Sequence, residues 1–169
     1  MIIGILKEPD YDNRVVMLAE SVAALTKLGV QVLVEKDAGS RSFELDGNYI
    51  EVGAQISSRD EILDKAEVIL SINAPESEEI DRIKPNQVLL GQLNPLFDHE
   101  LVKKLSSKGI TSFSMDSIPR TTRAQAMDVL SSMATIAGYK AVLTAANLMP
   151  GFFPMFMSAA GTIKPSKVL

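Results

Sequence analysis

The stretch "PRTTRAQAMDVLSSMATIAGYKAV", Pro119–Val142, concentrates the residues best suited to holding a polar partner. Read as one helix advancing ~100° per residue, it places Ala126, Val129, Leu130, Met133, Ala134 and Ala137 in one arc. Gln125, Asp128, Ser132, Thr135 and Tyr139 fall in the opposite arc, with Ser131 and Gly138 at its edge. A solvated helix face normally carries Lys and Glu, whereas the only formal charge in this arc is Asp128. Small hydroxyls and glycine let another surface approach closely, and the amide and carboxylate offer directed hydrogen bonds. That chemistry is recognition rather than proton transfer, and it suits a second domain or a polar ligand. A plainer arrangement fits the same residues: a helix packed across its own domain, with Gln125 used in capping and Asp128 favoured by the helix dipole.

Other chemistries are excluded by what the chain lacks. With no cysteine and a single histidine, His99, it can build no disulfide scaffold, thiolate metal site, histidine-rich metal site or cysteine nucleophile. The 17 Lys and Arg residues are balanced by 21 Asp and Glu and never cluster beyond a pair, which argues against nucleic acid as a partner. "MIIGILKEPD" has no basic n-region or cleavage site, so no signal peptide is expected and the cytoplasm is the default location. "AANLMPGFFPMFMSAAG", Ala145–Gly161, is uncharged, but Pro150, Gly151 and Pro154 interrupt it. It reads as a buried crossing segment rather than a membrane span.

The elements that must position these residues alternate along the chain. Ile2–Leu6, Val30–Lys36, Val68–Ile72, Gln87–Leu93 and Ile110–Met115 read as strands, with nearly continuous apolar runs that predict cover on both faces. Helices are expected at Glu20–Leu28, Gly47–Val52, Ser58–Ala66, Glu76–Ile83 and His99–Ser107. Gly29 and Gly109 are placed as helix-ending residues, Ser58 with Glu61 makes a capping box, and Asp98 is the N-cap of "HELVKKL". Strict alternation implies α/β architecture: an open parallel sheet in a three-layer, Rossmann-like or flavodoxin-like sandwich. A second capping box, Thr122 with Gln125, opens the long helix, which runs to about Leu148 before Pro150. The expected division is an α/β domain over 1–118, a bridging helix over 119–149 and a crossing segment over 150–169. The closing "KVL" looks like the start of a strand, so the chain is read as a piece of something longer.

The long-helix segment resembles "PRxxRAQxMDxLSS…xxAGYxAV" of the NAD(H)-binding alpha subunit of proton-translocating NAD(P) transhydrogenases, members of the alanine dehydrogenase/pyridine nucleotide transhydrogenase family. The likeness continues in order through "GILKE", "NRVV", "KLGVQVLVEKDAGS", "SINAP", "SMDSIPR" and "FFPMFMSAAGTIKPSKVL". It implies that the helix bridges two domains and that its N-terminal loop faces a nicotinamide in the cleft between them. By the same resemblance Arg120 hydrogen-bonds the nicotinamide carboxamide, Thr121 and Thr122 border the ring, and Asp128 and Ser131 hold the carboxamide's other edge. Gln125 reaches toward a second nucleotide. The implied cofactors are NAD(H) here and NADP(H) on a partner component, with no side chain of this chain acting as acid or base. The implied partners are a downstream NAD-binding domain, the NADP(H)-binding and membrane components, and a second copy in a homodimer. The implied location is cytoplasmic and peripheral to the inner membrane, with proton translocation carried by other parts.

Alanine dehydrogenases share the two-domain plan, but their resemblance implies an Arg and a Lys for substrate and a His as acid/base. Arg14 matches the Arg, while Asn73 and Asn94 stand at or near the Lys and His positions. An amide side chain does not titrate near neutral pH. Arg14 is therefore expected to pair internally, with Glu8 or loop carbonyls, and His99 to be a surface residue. Residues 1–169 hold no G-x-G-x-x-G turn for a pyrophosphate. The chain alone is thus expected to be inactive, with nicotinamide affinity near or weaker than ~1 mM. The alternatives are an alanine dehydrogenase-like amino-acid dehydrogenase domain and a non-catalytic interaction module.

Overall fold

A computed structural model describes residues 1–167. Two compact units follow one another along the chain, Met1–Met127 and Asp128–Leu169. The first is built on a six-stranded sheet: β1 (Ile2–Ile5), β2 (Gln31–Glu35), β3 (Gln55–Ser57), β4 (Val68–Asn73), β5 (Val88–Gln92) and β6 (Thr111–Ser114). All its pairings are parallel, in the order β3-β2-β1-β4-β5-β6. Helices α1 (Ala19–Lys27), α2 (Asp46–Glu51), α3 (Arg59–Lys65), α4 (Ser77–Arg82) and α5 (His99–Ser107) alternate with the strands, as the sequence pattern requires.

Two apolar clusters make the three layers. On one face Ile62 and Leu63 of α3, Ile80 of α4, and Leu101 and Leu105 of α5 pack on Leu33, Ile69 and Leu89. On the other, Ala19 and Val22 of α1 and Tyr49 of α2 cover Ile3, Ile5, Val32 and Val34. Each fully buried Ile, Leu or Val contributes about 1.5–3 kcal/mol of transfer free energy. Gly4 lets α3 sit directly on β1, since a Cβ there would lie 2.3 Å from Ile62 Cγ2 and 2.9 Å from Ala66 Cβ. Alanine at this position would force α3 outward at a cost of about 1–3 kcal/mol.

The boundary signals act largely as their chemistry predicts. Gly29 and Gly109 adopt φ of +79° and +67° just beyond α1 and α5. Ser58 accepts from Glu61 N at 3.2 Å and Asp98 accepts from Leu101 N at 2.9 Å, but the Glu61 carboxylate takes Lys65 Nζ at 2.6 Å, so at α3 only the serine half of the expected capping box forms. Two expectations for the sheet need correction. β3 carries one apolar residue, half-buried Ile56, too little pattern to be read as a strand. β6 is not covered on both faces: it is an edge strand whose Phe113 is 56% exposed.

In the second unit, α6 (Val129–Leu148) is followed by an antiparallel hairpin of β7 (Phe156–Ser158) and β8 (Gly161–Ile163). The long helix therefore starts at Val129 rather than Pro119. Asp128 is its N-cap, accepting from Ser131 N at 2.9 Å, so the Thr122–Gln125 capping box does not form. A carboxylate next to the first helical residue competes well with a threonine farther back. Gln125, Ala126 and Asp128 consequently leave the helical arcs to which the periodicity assigned them. Residues Gln125–Met127 form one short 3-10 turn instead. None of the 20 residues of α6 is buried, and the helix is long and apolar enough to cross a membrane by length and composition.

The segment expected to cross between packed elements also differs. Phe152, Met155, Phe156 and Met157 are at least half exposed, with Phe152 and Phe156 stacked at a centroid distance of 5.3 Å. Val168 and Leu169 of the expected strand start "KVL" lie outside the described residues.

Candidate functional site

In an open parallel sheet the carboxyl ends of the strands diverge where the order reverses, and ligands favour that crevice. Here the reversal falls between β1 and β4: the chain just past β1 carries Glu8, and β4 ends on Asn73. A cleft of about 220 Å³ opens at this edge, bordered by Lys7, Glu8, Arg59, Ser71, Asn73 and Glu79 among others. Glu8 is only 3% exposed. Its carboxylate accepts from Ile72 N at 2.6 Å, Asn73 N at 2.9 Å and Asn73 Nδ2 at 2.9 Å. Three donors satisfy most of its acceptor capacity, which is why burial is tolerated.

Asn73 Nδ2 donates to Asp12 Oδ2 as well, at 2.8 Å. Asp12 in turn holds Arg14 by a fork, Nε to Oδ1 at 2.9 Å and Nη2 to Oδ2 at 2.6 Å. The Arg14 side-chain hydrogen bond, against the opposing effect of burial, holds the Asp12 carboxyl well below the usual carboxylate range. The same bond raises the Arg14 guanidinium. Arg14 thus pairs internally, but with Asp12 rather than with Glu8 or loop carbonyls; the two-residue spacing puts the nearer carboxylate in the fork. Arg41 locks the preceding loop, donating from Nη2 to Pro9 O at 3.0 Å and from Nη1 to Asp10 at 3.1 Å. Arg59 is likewise shared between Glu35, at 3.1 Å, and Glu79.

At this strand edge, therefore, the arginines that could meet an anionic substrate are already engaged. Asn73 carries two carboxylate contacts and does not titrate. Asn94 takes a left-handed φ of +48° and uses its carbonyl to accept from Phe97 N and Asp98 N. His99 is exposed on the first turn of α5, as expected.

The loop beyond β6 is different. A short 3-10 turn, Met115–Ser117, leads into Ile118-Pro119-Arg120, and Thr121 N donates back to Pro119 O at 2.9 Å. Arg120, Thr121, Thr122 and Gln125 are exposed. Among the described residues no hydrogen bond or ion pair holds the Arg120 guanidinium or the Gln125 amide. Ala124, at 7% exposure, anchors the loop between them. In the second unit Asp128 and Ser131 are brought together, with Ser131 Oγ donating to Asp128 Oδ2 at 2.6 Å. The Ser132 and Thr135 hydroxyls are spent on backbone carbonyls one turn back, those of Asp128 and Ser131. The polar arc of α6 is therefore less available for outside contacts than its composition suggests. Sequence reasoning missed two carboxylates that tie these loops in place, Asp12 on Arg14 and Asp116 on Leu93 N, although "DNR" and "MDS" display both.

Residues 4–137 match the family model described as alanine dehydrogenase/PNT, N-terminal domain. The chain belongs to that family. Within the alanine dehydrogenase/PNT family it is 41% identical over its whole length to NAD(P) transhydrogenase subunit alpha of Haemophilus influenzae, of which it covers 33%. Against NAD(P) transhydrogenase subunit alpha of Cereibacter sphaeroides it is 38% identical, covering 94% of this chain and 30% of the relative. Alanine dehydrogenase of Methanococcus maripaludis is more distant, at 30% identity over 88% of this chain and 40% of that enzyme. In solved structures, the transhydrogenase of Sinorhizobium meliloti superimposes with a TM-score of 0.91 at 38% identity, over 98% of this chain and 50% of the other. An L-alanine dehydrogenase gives 0.80 at 28% identity, over 87% and 40%. The chain thus spans between 30% and 50% of the length of these relatives.

Proposed function

We propose that this chain is the part of an NAD(P) transhydrogenase alpha subunit that forms one wall of a nicotinamide cleft. The observation that carries the reading is the contrast in arginines. Arg14 and Arg59 are consumed by internal carboxylates, while Arg120 stands exposed with no internal partner among the described residues. A free guanidinium on a short, proline-stiffened loop fits a carboxamide oxygen, a charge-assisted contact worth about 1.5–3 kcal/mol.

In this reading Arg120 holds the carboxamide, Thr121 and Thr122 border the ring, and Asp128 with Ser131 takes the carboxamide's other edge. Gln125, also without a side-chain partner among the described residues, reaches toward the second nucleotide. The nicotinamide rings supply the hydride chemistry, between NAD(H) here and NADP(H) on a partner component. What the chain contributes is orientation and proximity. A downstream NAD-binding domain, the NADP(H)-binding and membrane components and a second copy complete the assembly, in which residues 1–118, 119–149 and 150–169 are the wall, the bridge and the crossing. The surface of α6, whose one formal charge is Lys140, is then covered by protein, since a helix apolar nearly all round is a buried one. The location is cytoplasmic, at the membrane face.

The test is hydride transfer between NADH and an NADP analogue by the complete enzyme. Arg120→Ala should lower kcat/KM by ~10- to 100-fold, and Asp128→Asn should also slow it. Unchanged rates in both would remove the assignment. The reading as an amino-acid dehydrogenase is disfavoured by the engaged Arg14 and the non-titrating Asn73 and Asn94; rapid pyruvate-dependent NADH oxidation by the complete enzyme would restore it.

A further inference from the structure

We propose that Asp116 is a positioning residue, clamping the loop that carries Arg120 onto the end of β5; the inference rests on the nicotinamide role given to Arg120 above. Asp116 is half-buried in the turn that follows β6. Its Oδ1 accepts from Leu93 N at 3.2 Å and from the Ser114 hydroxyl. Ser114 Oγ accepts from the same Leu93 N at 3.0 Å. One backbone N–H just past β5 is thus shared between a hydroxyl and a carboxylate that are themselves bonded, making a three-membered clasp. Leu93 is 3% exposed and belongs to the main apolar cluster, so the fixed end of the clasp sits in the core.

From Asp116 the path to Arg120 has little freedom. Ile118 is extended, at φ −63° and ψ 127°, as a residue before proline prefers. Pro119 fixes its own φ. Thr121 N then closes on Pro119 O, folding the chain tightly around Arg120. A carboxylate four residues upstream therefore sets where the Arg120 backbone stands, while the guanidinium stays unengaged for an outside acceptor. Without the clasp, the loop keeps its composition but loses its attachment to β5. Ordering it would then fall to the ligand, which weakens binding and loosens orientation.

The experiment is a double-mutant cycle in the complete enzyme, with Asp116→Ala, Arg120→Ala and both together, reading kcat/KM for NADH. Asp116→Ala is expected to lose roughly 10-fold, and the double variant should be no slower than Arg120→Ala within ~2-fold, because the clasp acts only through Arg120. Losses that multiply, or Asp116→Ala at the unmodified rate, would overturn the inference while leaving the role of Arg120 intact. Arg120→Ala at the unmodified rate would instead overturn the functional reading and this inference with it. Should Asp116→Ala fold poorly, Ser114→Ala keeps the direct Leu93–Asp116 bond and is expected to show a smaller loss with the same non-additivity. A multiplying loss there would sink the proposal equally. Faster hydrogen exchange at the Leu93 amide in Asp116→Ala is the accompanying local signature, and unchanged protection counts against the clasp.

Discussion

The strand-end cluster of Glu8, Asp12, Arg14 and Asn73 and the loop around Arg120 are both polar, yet they use their side chains in opposite ways. In the cluster, donors and acceptors are matched internally: Asn73 bridges two carboxylates and Arg14 is forked onto Asp12. In the loop, Arg120 and Gln125 are exposed with no internal partner among the described residues. The difference teaches that a crevice at a topological switch point does not have to be a substrate site. Once its charges are mutually satisfied it becomes structure, and recognition is left to whichever neighbouring group remains unspent.

Mutations can break or sharpen this contrast. The largest stability effect is expected from Glu8→Ala, which strands two backbone N–H groups and an amide; a loss of ~3 kcal/mol in urea denaturation of the chain is predicted. Arg120→Ala should change the same measurement by less than ~0.5 kcal/mol, and comparable losses in the two variants would erase the distinction. Acid should act on the cluster through Asp12. The Asp12 carboxyl is lowered in the folded state, so its contribution is present above its ordinary pKa of 3.8 and is lost as pH falls from there through the folded value. Asp12→Asn should accordingly be less stable than the unmodified chain near neutrality, with the gap narrowing below about pH 4 in acid titrations followed by circular dichroism. A gap independent of pH would mean that the pair with Arg14 contributes nothing through charge.

Smaller effects concern the helix start. Asp128→Ala removes the N-cap of α6 and should cost ~1 kcal/mol, visible as fraying of residues 129–132 in amide exchange. Thr122→Ala should leave helix stability within ~0.5 kcal/mol, because its hydroxyl does not cap α6. Fraying in Thr122→Ala but not in Asp128→Ala would reinstate a helix start at Thr122.

The long-helix boundary shows where sequence reasoning loses its grip. Thr122–Gln125 and Asp128 are both legitimate N-terminal signals, and periodicity continues smoothly through either. Hydrogen-bond geometry chose Asp128, whose carboxylate reaches both the Ser131 amide and its hydroxyl. The cost of that ambiguity was the helical arc, since Gln125, Ala126 and Asp128 were placed by an angle that applies only inside a helix. Arg14 gives the parallel case at the strand ends. Its internal pairing was legible from the chemistry of Asn73 and Asn94, but the identity of its partner was not, because Glu8, Asp10 and Asp12 all lie within reach along the chain.

Local rules by themselves settled the alternation of strands and helices apart from β3, the glycine and Asp98 boundaries, and the absence of thiol and histidine-cluster chemistry. These depend on periodicity, capping and residue type, all of which act over a few positions. Strand order, the edge position of β6, the meeting of Glu8 with Asn73 and the clasp of Asp116 on Leu93 belong to tertiary structure. The two contacts join residues separated by 65 and 23 positions, and which distant partners meet is decided only when helices cover the sheet and the reversal of strand order brings their ends together.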